Sequence, residues 1–217
     1  MISSLKTIML VLFLAVFLSC KSQNSVVKEN KITTIDDTTF VNLKDYSADF
    51  IYDMKYATED NFLKAKVYDC AECYLRLKTV KALIEANNVF VKKGFRIKLF
   101  DCYRPLDIQK KMWEIVSNPS YVANPAKGSI HNRGGAVDIT LVDKDGKELD
   151  MGTGFDFFGI EASHKYDKLS KDVKNNRKLL KRIMLKNGFK ALDSEWWHYN
   201  LQSALKDKVA NEKWECK

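Results

Sequence analysis

Gly128-Ser129-Ile130-His131-Asn132-Arg133-Gly134-Gly135-Ala136-Val137-Asp138 is the stretch on which the fold and chemistry of this chain turn. It carries one of only three histidines, with an aspartate seven residues later. From Ala136 to Val142 the residues read as a strand. Ala136, Asp138, Thr140 and Val142 share one face, and Val137, Ile139 and Leu141 share the other, assigned to the core. Asp138 is thereby fixed on a rigid element, as a precise site requires. Gly134 and Gly135 either let the backbone pass close to another element or simply make a turn.

Far downstream, Glu195-Trp196-Trp197-His198-Tyr199 supplies a second histidine with a glutamate three residues before it. Two imidazoles and a carboxylate, His131, His198 and Asp138, form a three-ligand set suited to one zinc ion, with a fourth position open to water. Glu195 is then a spare carboxylate able to take a proton from that water. This constellation points to a zinc hydrolase of the peptidase type.

Working outward, Asp143-Lys144-Asp145-Gly146 has turn chemistry and predicts a hairpin into Lys147-Glu148-Leu149. Upstream, Leu75 to Lys93 shows helical spacing and stops at Gly94. Phe95 to Phe100 alternates apolar with charged residues and predicts a half-buried strand. It runs into Asp101-Cys102-Tyr103-Arg104-Pro105, where proline ends regular pairing. Arg104 is either a solvated or salt-bridged residue or, facing a metal cleft, the stabiliser of an oxyanion. Leu106 to Ser117 predicts a helix whose Ile108, Met112, Trp113 and Val116 belong to the core, and Asn118 to Ser129 an ordered loop. Met151 to Asp167 reads as a loop packed by the rings of Phe155-Asp156-Phe157-Phe158. His164, isolated within it, reads as structural and not as a ligand. Asn175 to Asn187 predicts an amphipathic helix stopped by Gly188. Phe189 to Leu201 predicts a single strand carrying the second histidine. Strict alternation would put Glu195 opposite His198, so a bulge or turn near the tryptophans is required.

A chain of 217 residues, 46% apolar and 12% aromatic, suits one globular domain rather than a disordered protein. The net charge of +8 comes from dispersed lysines, with no basic run interleaved with aromatics, and gives no reason to expect a nucleic-acid partner. Met1 to Ser19, with Lys6 before the apolar run Ile8–Leu18, predicts an export signal too short to span a bilayer, which takes ~20 residues. Leu18-Ser19-Cys20 resembles a lipoprotein cleavage site, so Cys20 is the expected lipidated residue. The membrane is then reached only through that anchor, at the periplasm or cell envelope. A polar tether is expected over 20–45, the catalytic domain over 46–205 and a tail over 206–217. Beyond Cys20, the four cysteines Cys70, Cys73, Cys102 and Cys216 favour disulfides over metal in an oxidising compartment, and four cysteines leave three pairings open.

Together these pieces resemble one family, the zinc D-alanyl-D-alanine dipeptidases of the vancomycin-resistance type. The matching stretches are Tyr56-Ala57-Thr58-Glu59-Asp60-Asn61-Phe62, Asp101 to Pro105, Ser129 to Leu141, Met151-Gly152 with Phe155-Asp156-Phe157, Asn176 to Leu180, and Glu195 to Tyr199. The Ser-x-His-x6-Asp pattern is shared with D,D-carboxypeptidases and hedgehog-type domains; the Tyr-Ala-Thr block and the Glu-Trp-Trp-His ending narrow it. The resemblance implies that His131, Asp138 and His198 hold one Zn2+, that Glu195 is the general base and that Arg104 stabilises the oxyanion. It places Ser129 and Asp156 against substrate, Asp156 near a free amino group, with Tyr56 bordering the pocket. The implied fold is α+β, a single domain with a mostly antiparallel central sheet flanked by helices. The implied substrate is a small D-amino-acid dipeptide, cleaved to free D-alanine in cell-wall turnover or glycopeptide resistance. A D,D-carboxypeptidase trimming longer wall peptides and a non-catalytic zinc-bearing wall-binding module are the alternatives.

Overall fold

The computed structural model describes residues 35–216. The signal segment, Cys20 and the tether up to residue 34 lie outside the described residues. One folded unit begins at Asp37.

Among the described residues, seven strands and three α-helices form an α+β domain. Strands β2 (Ile51–Tyr52), β4 (Arg96–Asp101), β5 (Ala136–Val142), β7 (Glu195–Leu201) and β6 (Phe189–Leu192) lie in that order in a five-stranded sheet. Every pairing is antiparallel except β2 with β4. Strands β1 (Phe40–Asn42) and β3 (Tyr74–Arg76) make a separate antiparallel pair. The strand β1 and the fully buried Leu43 fall inside the segment expected to be tether, so the folded unit starts before residue 46. A β-pair needs a covering layer to be stable in water, and α1 (Leu77–Val91), which follows β3 directly, supplies it.

Helix α1 and helix α3 (Lys171–Lys186) pack on each other and over β4, β6 and β7. Leu83, Phe90, Leu180, Ile183 and Met184 meet Ile97, Leu99, Ile139 and Leu141 in the main core. Helix α3 starts earlier than its apolar periodicity alone indicates, because Ser170 caps it by accepting from the Val173 N–H. A smaller cluster, Tyr56, Leu63, Val67, Tyr68, Met112 and Val122, joins the 56–68 segment to α2 (Leu106–Ile115). All seven residues of β5 are buried, so the Asp138 face is covered too, and a ligand there is shielded from bulk water.

The expected long strand Phe189–Leu201 is instead a hairpin, β6 and β7, turning at Asp193-Ser194. Its pairing slips between Ala191, opposite Tyr199, and Leu192, opposite Glu195. The slip is the irregularity that alternation demanded. Strand β4 slips as well: Leu99 pairs with Ile139, whereas Asp101 pairs with Asp138. Bulges of this kind re-aim side chains beside functional sites.

The expected tail is also structured. Cys70 bonds to Cys216, and Cys73 to Cys102. Bonded in this way, Cys102 has no free thiol.

Candidate metal centre

Asp138 lies in the middle of the sheet with Asp101 opposite it on β4 and His198 opposite it on β7. Register thus puts one ligand carboxylate beside one ligand imidazole. His131 arrives from the short 3-10 turn His131–Arg133 just before β5. That turn fits because Gly134 is left-handed (φ +68°) and Gly135 lets Ala204 come close; a Cβ on Gly135 would meet the Ala204 methyl at 2.4 Å. Both readings of the glycine pair hold: Gly134 ends the turn, and Gly135 permits the close approach.

One ring nitrogen of each histidine is already occupied. His131 Nδ1–H donates to the Cys102 carbonyl at 2.7 Å, and His198 Nε2–H donates to Asn200 Oδ1 at 2.9 Å. Such partners fix the tautomer and leave the other nitrogen free to ligate. His131 Nε2 and His198 Nδ1 lie 3.3 Å apart, and His198 Nδ1 is 2.9 Å from Asp138 Oδ1. The three ligand atoms fall within 4.8 Å of one another, all on buried residues. Two imidazole lone pairs and a carboxylate aimed at one point fit a divalent cation, and this N,N,O set with an open side suits zinc. Burial opposes the charged form of Asp138, yet the His131 and His198 imidazoles outweigh it and hold the carboxyl far below the ordinary range.

Glu195, the first residue of β7, lines the same cavity as the three ligands. Its carboxylate makes no hydrogen bond among the described residues. Burial raises its pKa first, and the negative charge of Asp138 adds to the rise. A carboxylate whose affinity for a proton is raised is suited to general base work. Trp196 points away and donates its indole N–H to Thr153 Oγ1 at 2.8 Å, while Trp197 lines the cavity.

Arg104 is buried at the end of β4. Its guanidinium donates to Asp101 Oδ2 through Nε (3.2 Å) and Nη2 (2.5 Å), and to Gln109 Oε1 through Nη1 (2.9 Å). It also lies over the Tyr56 ring, 5.3 Å from the centroid. A guanidinium has five N–H donors; Asp101 and Gln109 take three of them, and the Tyr68 hydroxyl also meets the group. Arg104 is thus salt-bridged rather than solvated, and it also lines the metal cleft.

Asp156 adopts a left-handed backbone (φ +57°) that non-glycine residues seldom take. This aims its carboxylate into the cavity, where it accepts from Tyr56 Oη–H at 2.9 Å. Burial and the nearby Asp138 charge raise its pKa well above the usual range. A cation placed beside it would reverse that penalty. Ser129 completes the wall; its hydroxyl accepts from the His131 backbone N–H at 3.2 Å. The rings of Tyr121 and Phe158 stack across the mouth, 4.3 Å between centroids. The cavity volume is about 230 Å³, below the ~300–1,000 Å³ of pockets that take drug-sized ligands. Met112, expected only in the core, also lines it.

The structure thus brings together His131, Asp138, His198, Glu195, Arg104, Ser129, Asp156 and Tyr56. Three supporting residues were not singled out from sequence. Asp101 is fully buried and accepts from Arg104, from Tyr68 Oη–H at 2.7 Å and from the Cys102 N–H. Its only sequence signal was a place beside Arg104 in the same short motif. Gln109 is a polar residue on the buried face of α2, and Asn200 follows His198 by two positions on the same face of a strand. His164 lies apart from the site, against Tyr199, with its Nε2 buried and unpartnered.

Comparison with known proteins agrees with this geometry. A family model described as D-ala-D-ala dipeptidase matches residues 36–215. The D-alanyl-D-alanine dipeptidase of Escherichia coli (strain K12) is 35% identical over 182 residues, covering 83% of this chain and 94% of that relative. The enzyme of that name from Enterococcus faecium is 32% identical, covering 70% of this chain and 85% of its own. A solved vancomycin-resistance D,D-pentapeptidase in complex with Zn(II) superposes at a TM-score of 0.39 and 15% identity, over 59% of this chain and 73% of that one. With the family model spanning nearly all of the folded unit, the chain belongs to the D-Ala-D-Ala dipeptidase family of zinc metallopeptidases.

Proposed function

We propose that this protein hydrolyses the free dipeptide D-Ala-D-Ala to D-alanine. The observation that carries the reading is the cavity itself. The zinc ligands and Glu195 share one small space with Asp156, a carboxylate that among the described residues is hydrogen-bonded to Tyr56 and to no cationic side chain. A free dipeptide offers an ammonium for Asp156 and a peptide carbonyl between the metal site and Arg104.

His131, Asp138 and His198 would hold the zinc, which when bound would supply Lewis acidity to the scissile carbonyl and make a nearby water more acidic. Glu195 takes the proton of the attacking water and delivers it to the leaving amino group. Arg104 donates to the carbonyl oxygen as negative charge develops on it, a contribution on the order of 3 kcal/mol. Asp101 and Gln109 hold that guanidinium in place, so little of its freedom is lost when substrate binds. The stacked Tyr121 and Phe158 restrict the space available beyond the ammonium end.

The working place we propose is the cell envelope, with the enzyme exported and anchored through Cys20, acting on dipeptide from wall turnover or in glycopeptide resistance. Two disulfides and the Leu18-Ser19-Cys20 segment support export. Hydrolysis of D-Ala-D-Ala compared with N-acetyl-D-Ala-D-Ala separates a dipeptidase from a carboxypeptidase. Strong preference for the free dipeptide is expected. Preference for the acetylated peptide would assign the protein to trimming of longer chains.

A further inference from the structure

Among the described residues no hydrogen bond joins segment 205–216 to the ligand side chains, yet the segment is bonded to both of the chain segments that carry His131 and Arg104. Ala210 is the centre of this contact. Its N–H donates to the Asn132 carbonyl at 2.8 Å, and its own carbonyl accepts from the Leu106 N–H at 3.2 Å. Asn132 belongs to the turn that presents His131, and Leu106 follows the segment that presents Arg104. The two segments are also joined directly: Arg104 N–H donates to the His131 carbonyl at 3.1 Å and Asn132 Nδ2–H to the Arg104 carbonyl at 2.7 Å.

Further bonds run along the segment. Arg133 Nη1–H donates to the Asp207 carbonyl, and Arg76 Nη2–H to the Lys208 carbonyl at 3.0 Å. Tyr103 Oη–H donates to the Glu212 carbonyl at 3.2 Å, and Asn211 exchanges hydrogen bonds with Asp107 at 2.8 Å each. Val209 presses on Gly128 so closely that a Cβ there would lie 2.7 Å from its methyl. Trp214 stacks on Tyr74, with centroids 4.9 Å apart, and the Cys70–Cys216 disulfide fastens the far end.

We propose that segment 205–216 is a strap that positions His131 and Arg104, and that Cys70–Cys216 is its lock. The proposal rests on the zinc-peptidase reading for Arg104, but its effect on the metal does not require the substrate to be D-Ala-D-Ala. The Cys102 carbonyl that orients His131 belongs to the segment the strap pins at Tyr103, Leu106 and Asp107. Release of the strap therefore loosens the groups that orient a ligand, while Tyr56, Asp156 and Phe158 lie outside its contacts. Changes to groups that orient metal ligands typically cost 10–100-fold in affinity. The expected signature is weaker zinc and lower kcat with little change in KM.

The test is the Cys70→Ser/Cys216→Ser double variant, alongside the unaltered chain. Zinc affinity is measured by competition with a chromogenic chelator, strap release by trypsin cleavage at the exposed Lys206, Lys208 and Lys213, and kcat and KM at saturating zinc. Faster cleavage, zinc bound about 10–100-fold more weakly and a several-fold lower kcat at nearly constant KM are expected. Zinc affinity and kcat within twofold of the unaltered chain would overturn the positioning role, and unchanged trypsin resistance would overturn the lock. If the double variant does not fold, the unaltered protein is treated with a mild dithiol and alkylated. Half-buried Cys70 and exposed Cys216 react before the fully buried Cys73–Cys102 pair, and the same outcomes decide. Tight zinc binding by the unaltered chain without D-Ala-D-Ala hydrolysis would refute the substrate reading and leave the strap intact.

Discussion

Two carboxylates meet at the cavity floor from adjacent strands, and their surroundings push them in opposite directions. Asp138, in mid-strand on β5, lies against two imidazoles that hold it ionised despite burial. Glu195, where β7 begins beside a register slip, is also buried but its carboxylate has no hydrogen-bond partner among the described residues, and its proton affinity rises. The residue types are nearly equivalent; the strand positions are not. A carboxylate set between imidazoles is placed to ligate, and one whose side chain has no hydrogen bond on the same cavity is, in the proposed mechanism, the base. Neighbouring groups with divergent pKa values identify acid–base roles in this way.

Substituting each member of the pair separates these roles. Asp138→Ala should abolish hydrolysis together with tight zinc binding, measured by chelator competition. Glu195→Gln should lower kcat by about 10²–10⁴-fold while zinc stays bound, and wild-type turnover in that variant would remove Glu195 from the mechanism. A smaller effect is expected at Arg104, where lysine keeps the charge but loses the planar fork held by Asp101 and Gln109. Arg104→Lys should cost about 10²–10³-fold in kcat with KM much less affected. Asp156→Asn tests the ammonium end: KM for the free dipeptide should rise about 10–100-fold, the loss of one charge-assisted hydrogen bond of ~1.5–3 kcal/mol. An equal rise for the acetylated peptide would exclude an ammonium contact.

The smallest effect is on stability, at the histidine outside the site. Burial and the nearby Lys181 and Arg177 charges lower the His164 pKa from 6.5 to about 4. Between those values the unfolded chain binds the additional proton, so this contribution to stability is complete above pH 6.5 and is lost as pH falls toward about 4. His164→Leu should flatten the urea midpoint across that interval. An unchanged slope would show that His164 does not titrate with unfolding.

What could be read from sequence was what local pattern encodes. The β5 boundaries agree with the alternation, and α2 begins at Leu106 as its spacing indicates. The metal set was legible because imidazoles are scarce in this chain and their spacing is chemically constrained. The register slips at Phe100 and at the tryptophans were not readable in detail, since a bulge is decided by what packs across strands. The place of a slip near Glu195 was nevertheless forced by chemistry, because base and ligand had to share one cavity. Segment 205–216 lacked any periodic signal. Its order comes from backbone groups bonded to distant loops and from Cys216, whose partner no local pattern identifies. Asp101 and Gln109 were obscure for a related reason: a buried polar residue shows its function only once its partner is known.

The central claim is that one zinc and Glu195 cleave a free D-amino-acid dipeptide. Its most direct test is the release of D-alanine from D-Ala-D-Ala by the purified protein, before and after a chelator and again after one equivalent of zinc. The expected result is two molecules of D-alanine per dipeptide, lost with the chelator and restored by zinc. Hydrolysis that continues undiminished after complete metal removal, or none from the zinc-loaded protein, would contradict it.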